Sequence, residues 1–310
     1  MEPLILSIDC GTQSLRAILF NKDGETEAIE KVTFEPYFSL HPGWTEQKPE
    51  VYYGALCTAA RRLRDSHAEK FSRIIALALA SQRDTTVFLD KDLKPVRPAI
   101  LWLDQREADV SPEQYYSPAE IAKYSLVGML KTSRHVMRHS RTYWVQKNES
   151  EIWAKTDKVV LLSCYLNYLL TGNLADSYAA QIGHIPFNVK TSDWHHGKNN
   201  ISYRQFGVRE DQMPRLVPPG SLLGNVTRKT AEDTGIPEGL PVIAAASDKG
   251  CETLGNGCLA EDTASLSFGT TATVQTTTSK YVEVLRFIPP YPSAVPGRYN
   301  PEYRCSAGTG

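Results

Sequence analysis

The stretch LILSIDCGTQSLRAILFN, residues 4–21, constrains the fold more than any other part of the chain. Apolar, β-prone residues at 4–9 and 15–20 flank Gly11, Thr12, Gln13 and Ser14, so two strands joined by a short polar turn are predicted. The turn NKDGE and the extended segment AIEKVTFEP follow, which extends the prediction to a three-stranded antiparallel meander. From Pro49 to about Ser66 apolar residues recur on a helical period, with proline at the first helical position. RIIALALASQRD then reads as a buried strand of the kind found in parallel sheets, so the chain is α/β.

Helices are expected over 119–147 and 159–171. IPEGLPVIAAASD resets the pattern as a turn and a new buried strand, then KGCETLGNG opens a helix and TASLSFGTTATVQTTTS repeats the strand, Gly-Thr turn, strand logic of the N-terminus. Two related lobes, 1–240 and 241–310, follow as an expectation, with the second incomplete because AGTG ends on a turn that opens a helix. With 34 basic and 35 acidic side chains in 310 residues, overall charge argues for neither nucleic acid nor a membrane surface as partner. IIALALA and VVLLSCYLNYLL are too short for the ~20 residues that cross a bilayer. Six scattered cysteines without a CxxC pair, and an acidic N-terminus that enters a strand directly, suggest a reduced, cytoplasmic chain.

The polar turn offers backbone N–H groups from Gly11 to Ser14, hydroxyls from Thr12 and Ser14, and the cation of Arg16, which together suit anionic oxygen. Asp9 repels phosphate but can hold Mg²⁺ whose other ligands are phosphate oxygens and water. A plain Gly-Thr hairpin capped by Asp9 is the alternative. Gly269, Thr270 and Thr271 offer a similar turn in the second hairpin, and two such turns on opposed lobes can hold a polyphosphate. Asp248 follows PVIAAAS and precedes a helix, as either an N-cap or a general base for a hydroxyl attacking phosphorus. Gln82, Arg83 and Asp84 leave the end of the buried strand and suit a polyhydroxylated molecule, or form a solvated ion pair. Trp102, Asp104 and Arg106 follow, with the indole suited either to a sugar face or to the core.

Other features carry less. His135 and His139 lack the glutamate of a zinc-protease helix, and His195 and His196 lack neighbours at metal-ligand spacing. The sequence has no GxxxxGK[ST], and GNG at 255–257 is not a dinucleotide fingerprint.

Taken in order, DCGTQSLRA, HPGWTEQKPEVYY, SQRDTTVFLDKDLKPVRPAILWLDQR, LNYLLTG, DSYAAQIGHIPFNVKTSDW, AAASDKG and SFGTT resemble the FGGY carbohydrate kinases, which include glycerol kinase, xylulokinase and ribulokinase. The resemblance runs over nearly the whole chain. It implies an actin-like ATPase fold related to ribonuclease H, with a mixed sheet, in which ATP and a small sugar or polyol meet between lobes. It implies Asp9 near Mg²⁺, Thr12, Gln13, Ser14 and Arg16 along the phosphates, Arg83 and Asp84 on polyol hydroxyls, Asp248 as base and Thr270 as the second phosphate contact. Lys48 stands where the family often has an acid, and Tyr178, Ala179 and Gln181 depart from its usual TD-x-SNAS segment, which would alter the sugar-facing wall. The adenine-holding segment of the family is not among the 310 residues. A non-catalytic sugar-binding protein and another actin-like ATPase therefore stay open beside the kinase, as does a homodimeric assembly.

Overall fold

The computed structural model describes residues 2–197, 199–268, 271–285 and 287–306. Strands β1 (Leu4–Cys10), β2 (Ser14–Phe20) and β3 (Thr26–Thr33) form the antiparallel meander, with Asp9 directly across from Arg16. Leu4, Leu6, Ile8 and Cys10 share a buried face of β1, as a period of two requires. A short strand β4 (Glu46–Gln47) leads into helix α1 (Pro49–Ser66). Tyr52, Leu56, Ala59 and Leu63 on α1 join the β1 side chains in one core. Lys48 gives this helix no side-chain cap, and Pro49 starts it without needing an N–H partner.

Strand β5 (Ile74–Ser81) lies parallel to β1 on one side and to the strand Pro241–Ala244 on the other. The strand Leu222–Asn225 pairs antiparallel at the edge, completing a six-stranded mixed sheet. The strand after residue 240 was expected to open the second lobe, yet it extends the first sheet. Its buried Val242 and Ala244 find their cover there.

Two helix predictions are refined. The span 119–147 divides into Pro118–Leu126, Leu130–Arg138 and Arg141–Asn148, broken near Gly128 and at Ser140, whose hydroxyl caps the last of them. The span 159–171 begins as a strand, Lys158–Leu161, because Val159 and Val160 are β-branched and pair with Thr86–Leu89. Only from Leu162 to Thr171 is it helical. The second hairpin forms from Ser265–Phe268 and Thr271–Gln275, with Glu302–Ser306 as a third antiparallel strand. Its turn, Gly269 and Thr270, lies outside the described residues. No helix among the described residues is long and apolar enough to cross a membrane.

Candidate functional site

Chain direction gathers the site at the C-terminal end of β5, where parallel strands present functional groups. Gln82 N–H donates to the Cys10 carbonyl at 2.9 Å, which sets the end of β5 beside the polar turn. Thr12 Oγ1 donates to Gln82 Oε1 at 2.6 Å, and Gln82 Nε2 donates to the Tyr52 hydroxyl at 3.0 Å. Trp102 Nε1 in turn donates to Thr12 Oγ1 at 3.1 Å while its ring stays exposed at the rim. The Thr12 hydroxyl proton and both ends of the Gln82 amide are thereby engaged within the protein. The pair locks the turn to the core and leaves the second Gln82 Nε2 hydrogen without a partner among the described residues.

What the turn leaves open is backbone and charge. The N–H groups of Thr12 and Gln13 have no partner among the described residues, and the Ser14 side chain is buried beneath them. Gly11 donates to the Ser14 carbonyl at 3.0 Å. A Cβ at Gly11 would make only an ordinary 3.5 Å contact with the Ser14 carbonyl oxygen, so packing inside the chain does not demand glycine there. Arg16 Nη1 lies 2.7 Å from Asp9 Oδ2, and both side chains are 40% exposed. No cluster of three or more metal-ligating side chains occurs among the described residues.

Asp248 occupies the first turn of the helix Asp248–Gly255, but it is not the cap: Ser247 Oγ accepts from Gly250 N–H. The capping alternative is thus removed, and the carboxylate is free for other work. Its Oδ1 accepts from Lys249 N–H at 2.8 Å and lies 3.6 Å from Arg83 Nε. Its Oδ2 has no partner among the described residues. Loss of water in the cleft raises the carboxyl above its ordinary value, opposed by Arg83 and the Lys249 N–H. Arg83 also sits 3.7 Å from Glu302 and 4.9 Å from the centre of the Tyr291 ring, and its Nη1 is buried without a hydrogen bond. Glu302 accepts from Gln275, whose other end receives Thr253 of the Asp248 helix, so a closed ring of polar contacts holds Arg83 and Asp248 in place.

Asp84 is not paired with Arg83. Its backbone adopts φ of 52°, a left-handed conformation that turns the carboxylate away from its neighbour. Arg141 Nη1 and Nη2 each lie 2.9 Å from one of its oxygens, and His184 N–H donates to Oδ1 at 2.9 Å. Burial alone would raise the Asp84 carboxyl, but Arg141 and then His184 outweigh it and hold the value at about 2. Asp104 is likewise committed, to Arg106 through both oxygens and to Thr45 N–H at 2.7 Å, with its side chain 1% exposed. Its expected place on a substrate gives way to a structural one.

Tyr178, Ala179 and Gln181, expected on the sugar-facing wall, are buried instead. Tyr178 OH accepts from Gly297 N–H and the Ala179 carbonyl from Ser247 N–H, both at 3.1 Å, so this turn holds the start of the Asp248 helix. Arg141, His184, Glu302 and Tyr291 enter the site without any warning from local sequence. Only long-range folding brings them there.

Comparison with known proteins adds an independent finding. The model for the FGGY family of carbohydrate kinases, N-terminal domain, matches residues 4–255. The chain is similar to the xylulose kinase of Escherichia coli, 30% identical over 270 residues that cover 86% of this chain and 53% of that one. It is also similar to the gluconokinase of Bacillus subtilis, 25% identical across 90% of this chain and 53% of that one. Among solved structures, the xylulose kinase of Rhodospirillum rubrum superimposes with a TM-score of 0.82 at 21% identity, covering 97% of this chain and 60% of that chain. The chain therefore spans about half the length of the curated relatives it matches.

Proposed function

The chain belongs to the FGGY family of carbohydrate kinases, and from that premise we propose that it supports ATP-dependent phosphorylation of a hydroxyl on a small sugar or polyol bound at the end of β5. The observation that carries this reading is the Asp248 carboxylate, uncapped, 40% exposed, and with one oxygen open beside Arg83. A carboxylate whose proton affinity is raised by its surroundings is suited to general-base work. In the reaction, the attacking hydroxyl gives its proton to Asp248 Oδ2 as its oxygen bonds to the γ-phosphorus and the bond to the leaving oxygen of ADP breaks. Arg83, whose buried Nη1 makes no hydrogen bond and only a 3.7 Å ion pair with Glu302, holds a second hydroxyl and so aligns the first.

The polar turn is the phosphate side of the same cleft. The N–H groups of Thr12 and Gln13 and the Arg16 guanidinium would face the phosphates, with the Ser14 side chain buried at the turn and Gly11 keeping clear the space that a Cβ would fill. Gly269 and Thr270 are proposed as the opposed contact. Mg²⁺ keeps most of its waters and needs few protein ligands, so Asp9, 40% exposed and paired with Arg16 through Oδ2, is the residue that would hold it. The ion would supply neutralisation of phosphate charge. The proposal places this chemistry in the cytoplasm, where Cys10, Cys57, Cys164, Cys251 and Cys258 stay as free thiols.

The test is phosphorylation of D-xylulose, D-gluconate and glycerol with Mg-ATP, by this chain and by any longer product of the same reading frame. Asp248→Asn should abolish transfer while leaving sugar affinity within a few fold; unchanged turnover would remove Asp248 from the reaction. Sugar binding without transfer by either form would favour the non-catalytic reading.

A further inference from the structure

Asp84 sits where a polyol contact was expected, yet its carboxylate is spent. Both oxygens are engaged by the guanidinium of Arg141, and Oδ1 takes the His184 N–H as well. Arg141 is 4% exposed and also donates to the Leu101 carbonyl at 3.2 Å, so it is fixed from both sides. A carboxylate already holding a bidentate guanidinium and a backbone N–H in a buried place has little left to offer a ligand.

The group that this arrangement presents outward is the His184 ring. Its Nδ1 faces inward, 3.0 Å from Asp84 Oδ2 and 2.7 Å from Arg141 Nη1. The side chain is 31% exposed. With Nδ1 enclosed, the accessible part of the ring is the opposite edge, which carries Nε2. The loop is built to hold it so. Gly183 has φ of 149°, and a Cβ there would fall 2.2 Å from Asp84 Oδ1, so only glycine lets the chain pass closely enough for His184 to reach the carboxylate. His184 thus stands on a buried acid and guanidinium, and that acid, Asp84, is the chain neighbour of the Arg83 that faces Asp248.

We infer that His184 is a specificity-determining residue of this site, its Nε2 reading a hydroxyl of the bound sugar, with Asp84 and Arg141 as the positioning residues behind it. The inference rests on the reading of the cleft given above. A hydroxyl both donates and accepts, so it complements Nε2 whichever ring nitrogen carries a proton, while a methyl or a bare methylene at that place leaves the nitrogen unmatched. A site that must pair a buried polar group rejects the analogue lacking the hydroxyl far more strongly than an apolar wall would.

The test uses the 310-residue chain, labelled with ¹³C in its histidine rings and titrated with D-xylulose, D-gluconate and glycerol. The expected result is a shift of the His184 ring resonance by the sugar that binds. His184→Ala should weaken that sugar about tenfold or more, and His184→Gln, which restores a polar end, should recover part of the loss. His184→Ala also removes the Nδ1 contact to Asp84 and should lower the thermal midpoint, so affinities are compared at a temperature where every variant is folded. A sugar that binds His184→Ala within twofold of the unaltered chain, or that leaves the His184 resonance unmoved, overturns the inference while leaving the kinase reading intact. Failure of all three to bind the unaltered chain overturns the cleft reading itself, and the inference with it.

Discussion

Arg83 Nε lies 3.6 Å from Asp248 Oδ1, joining the end of a strand to the start of a helix that follows it by more than one hundred and fifty residues. The pair works against the burial that surrounds it. Loss of water raises the Asp248 carboxyl, and the guanidinium is the largest influence lowering it again. With Asp248 as the proposed base, transfer needs the carboxylate form, so its rate is expected to fall as pH drops through the Asp248 value. Replacing Arg83 by methionine removes a cation that favours the charged form, and the acid limb should move to higher pH. Sugar affinity should also fall about tenfold through loss of a charged hydrogen bond. Carbon-detected titration of the Asp248 carboxyl follows the first effect and isothermal titration the second. A limb displaced to lower pH would contradict the arrangement.

Asp84 makes a contribution of opposite pH sense to burial alone. Its carboxyl is held at about 2 in the fold, against about 3.9 in an unfolded chain. Its ion pair with Arg141 is therefore fully present above pH ~4 and is lost as pH falls from there toward 2, a contribution on the order of 2 kcal/mol. Guanidinium unfolding of the unaltered chain and Asp84→Asn should differ by about this amount at pH 5, and the gap should shrink at pH 3. Gly183→Ala forces a Cβ against Asp84 Oδ1 and should lose stability in the same direction. A Gly183→Ala chain as stable as the original would show that the loop can move aside.

Behind the site lies a charge cluster that sets the Trp102 loop. Glu46 Oε1 faces both Arg97 and Arg106, and all three side chains are at most 5% exposed. The Arg106 guanidinium lies 4.3 and 4.5 Å from the ring centres of Trp44 and Trp144, which pack edge to face against each other. Glu46→Gln keeps the volume but leaves two buried cations short of a counter-charge, so it should cost about 3 kcal/mol or more. Urea unfolding measures the loss, and near-ultraviolet circular dichroism should report the disturbed tryptophans. A cost below about 1 kcal/mol would show that Asp104 and Glu149 carry the neutralisation without Glu46.

Much of this was legible in the order of residues. The meander, the start of α1 at Pro49 and the parallel β5 follow from period and proline placement. Asp248 could be singled out because a strand and a helix start frame it. The partners of Asp84 were hidden for a physical reason. Arg141 lies 57 residues away and His184 one hundred, and no local period encodes a guanidinium arriving from a helix or an imidazole from a loop. The contact between Thr12 and Gln82 is likewise hidden: each is a residue type that binds ligands, and no local pattern shows that the two hydrogen-bond one another across 70 residues. At Pro241–Ala244 the sequence shows a reset in pattern but not which open sheet edge the reset strand joins, and that edge is β5.

Asp176 gives the last prediction, because two influences on it oppose each other. It is 1% exposed, and it receives Ser163 Oγ at 2.6 Å, Gln181 Nε2 at 2.8 Å, Ser177 N–H at 2.9 Å and Asn167 Nδ2 at 3.0 Å. Burial is the larger influence and pushes the carboxyl up to about 6, with those donors pulling it down. A folded value above the unfolded value of about 3.9 means that the folded chain keeps this proton after the unfolded chain has lost it. Stability from Asp176 is then greatest below pH ~4 and falls as pH rises toward 6, by on the order of 3 kcal/mol. Asp176→Asn cannot titrate, so any donor-to-donor mismatch its amide introduces is the same at every pH. The stability of the unaltered chain relative to Asp176→Asn should therefore decline between pH 4 and pH 7 in guanidinium unfolding. A relative gain over that range would mean that four donors overcome burial and keep the group ionised. Because Ser177 and Gln181 flank the turn whose Ala179 carbonyl holds Ser247 N–H, the same titration should also loosen the start of the Asp248 helix, readable as faster amide exchange at Ser247 above pH 6.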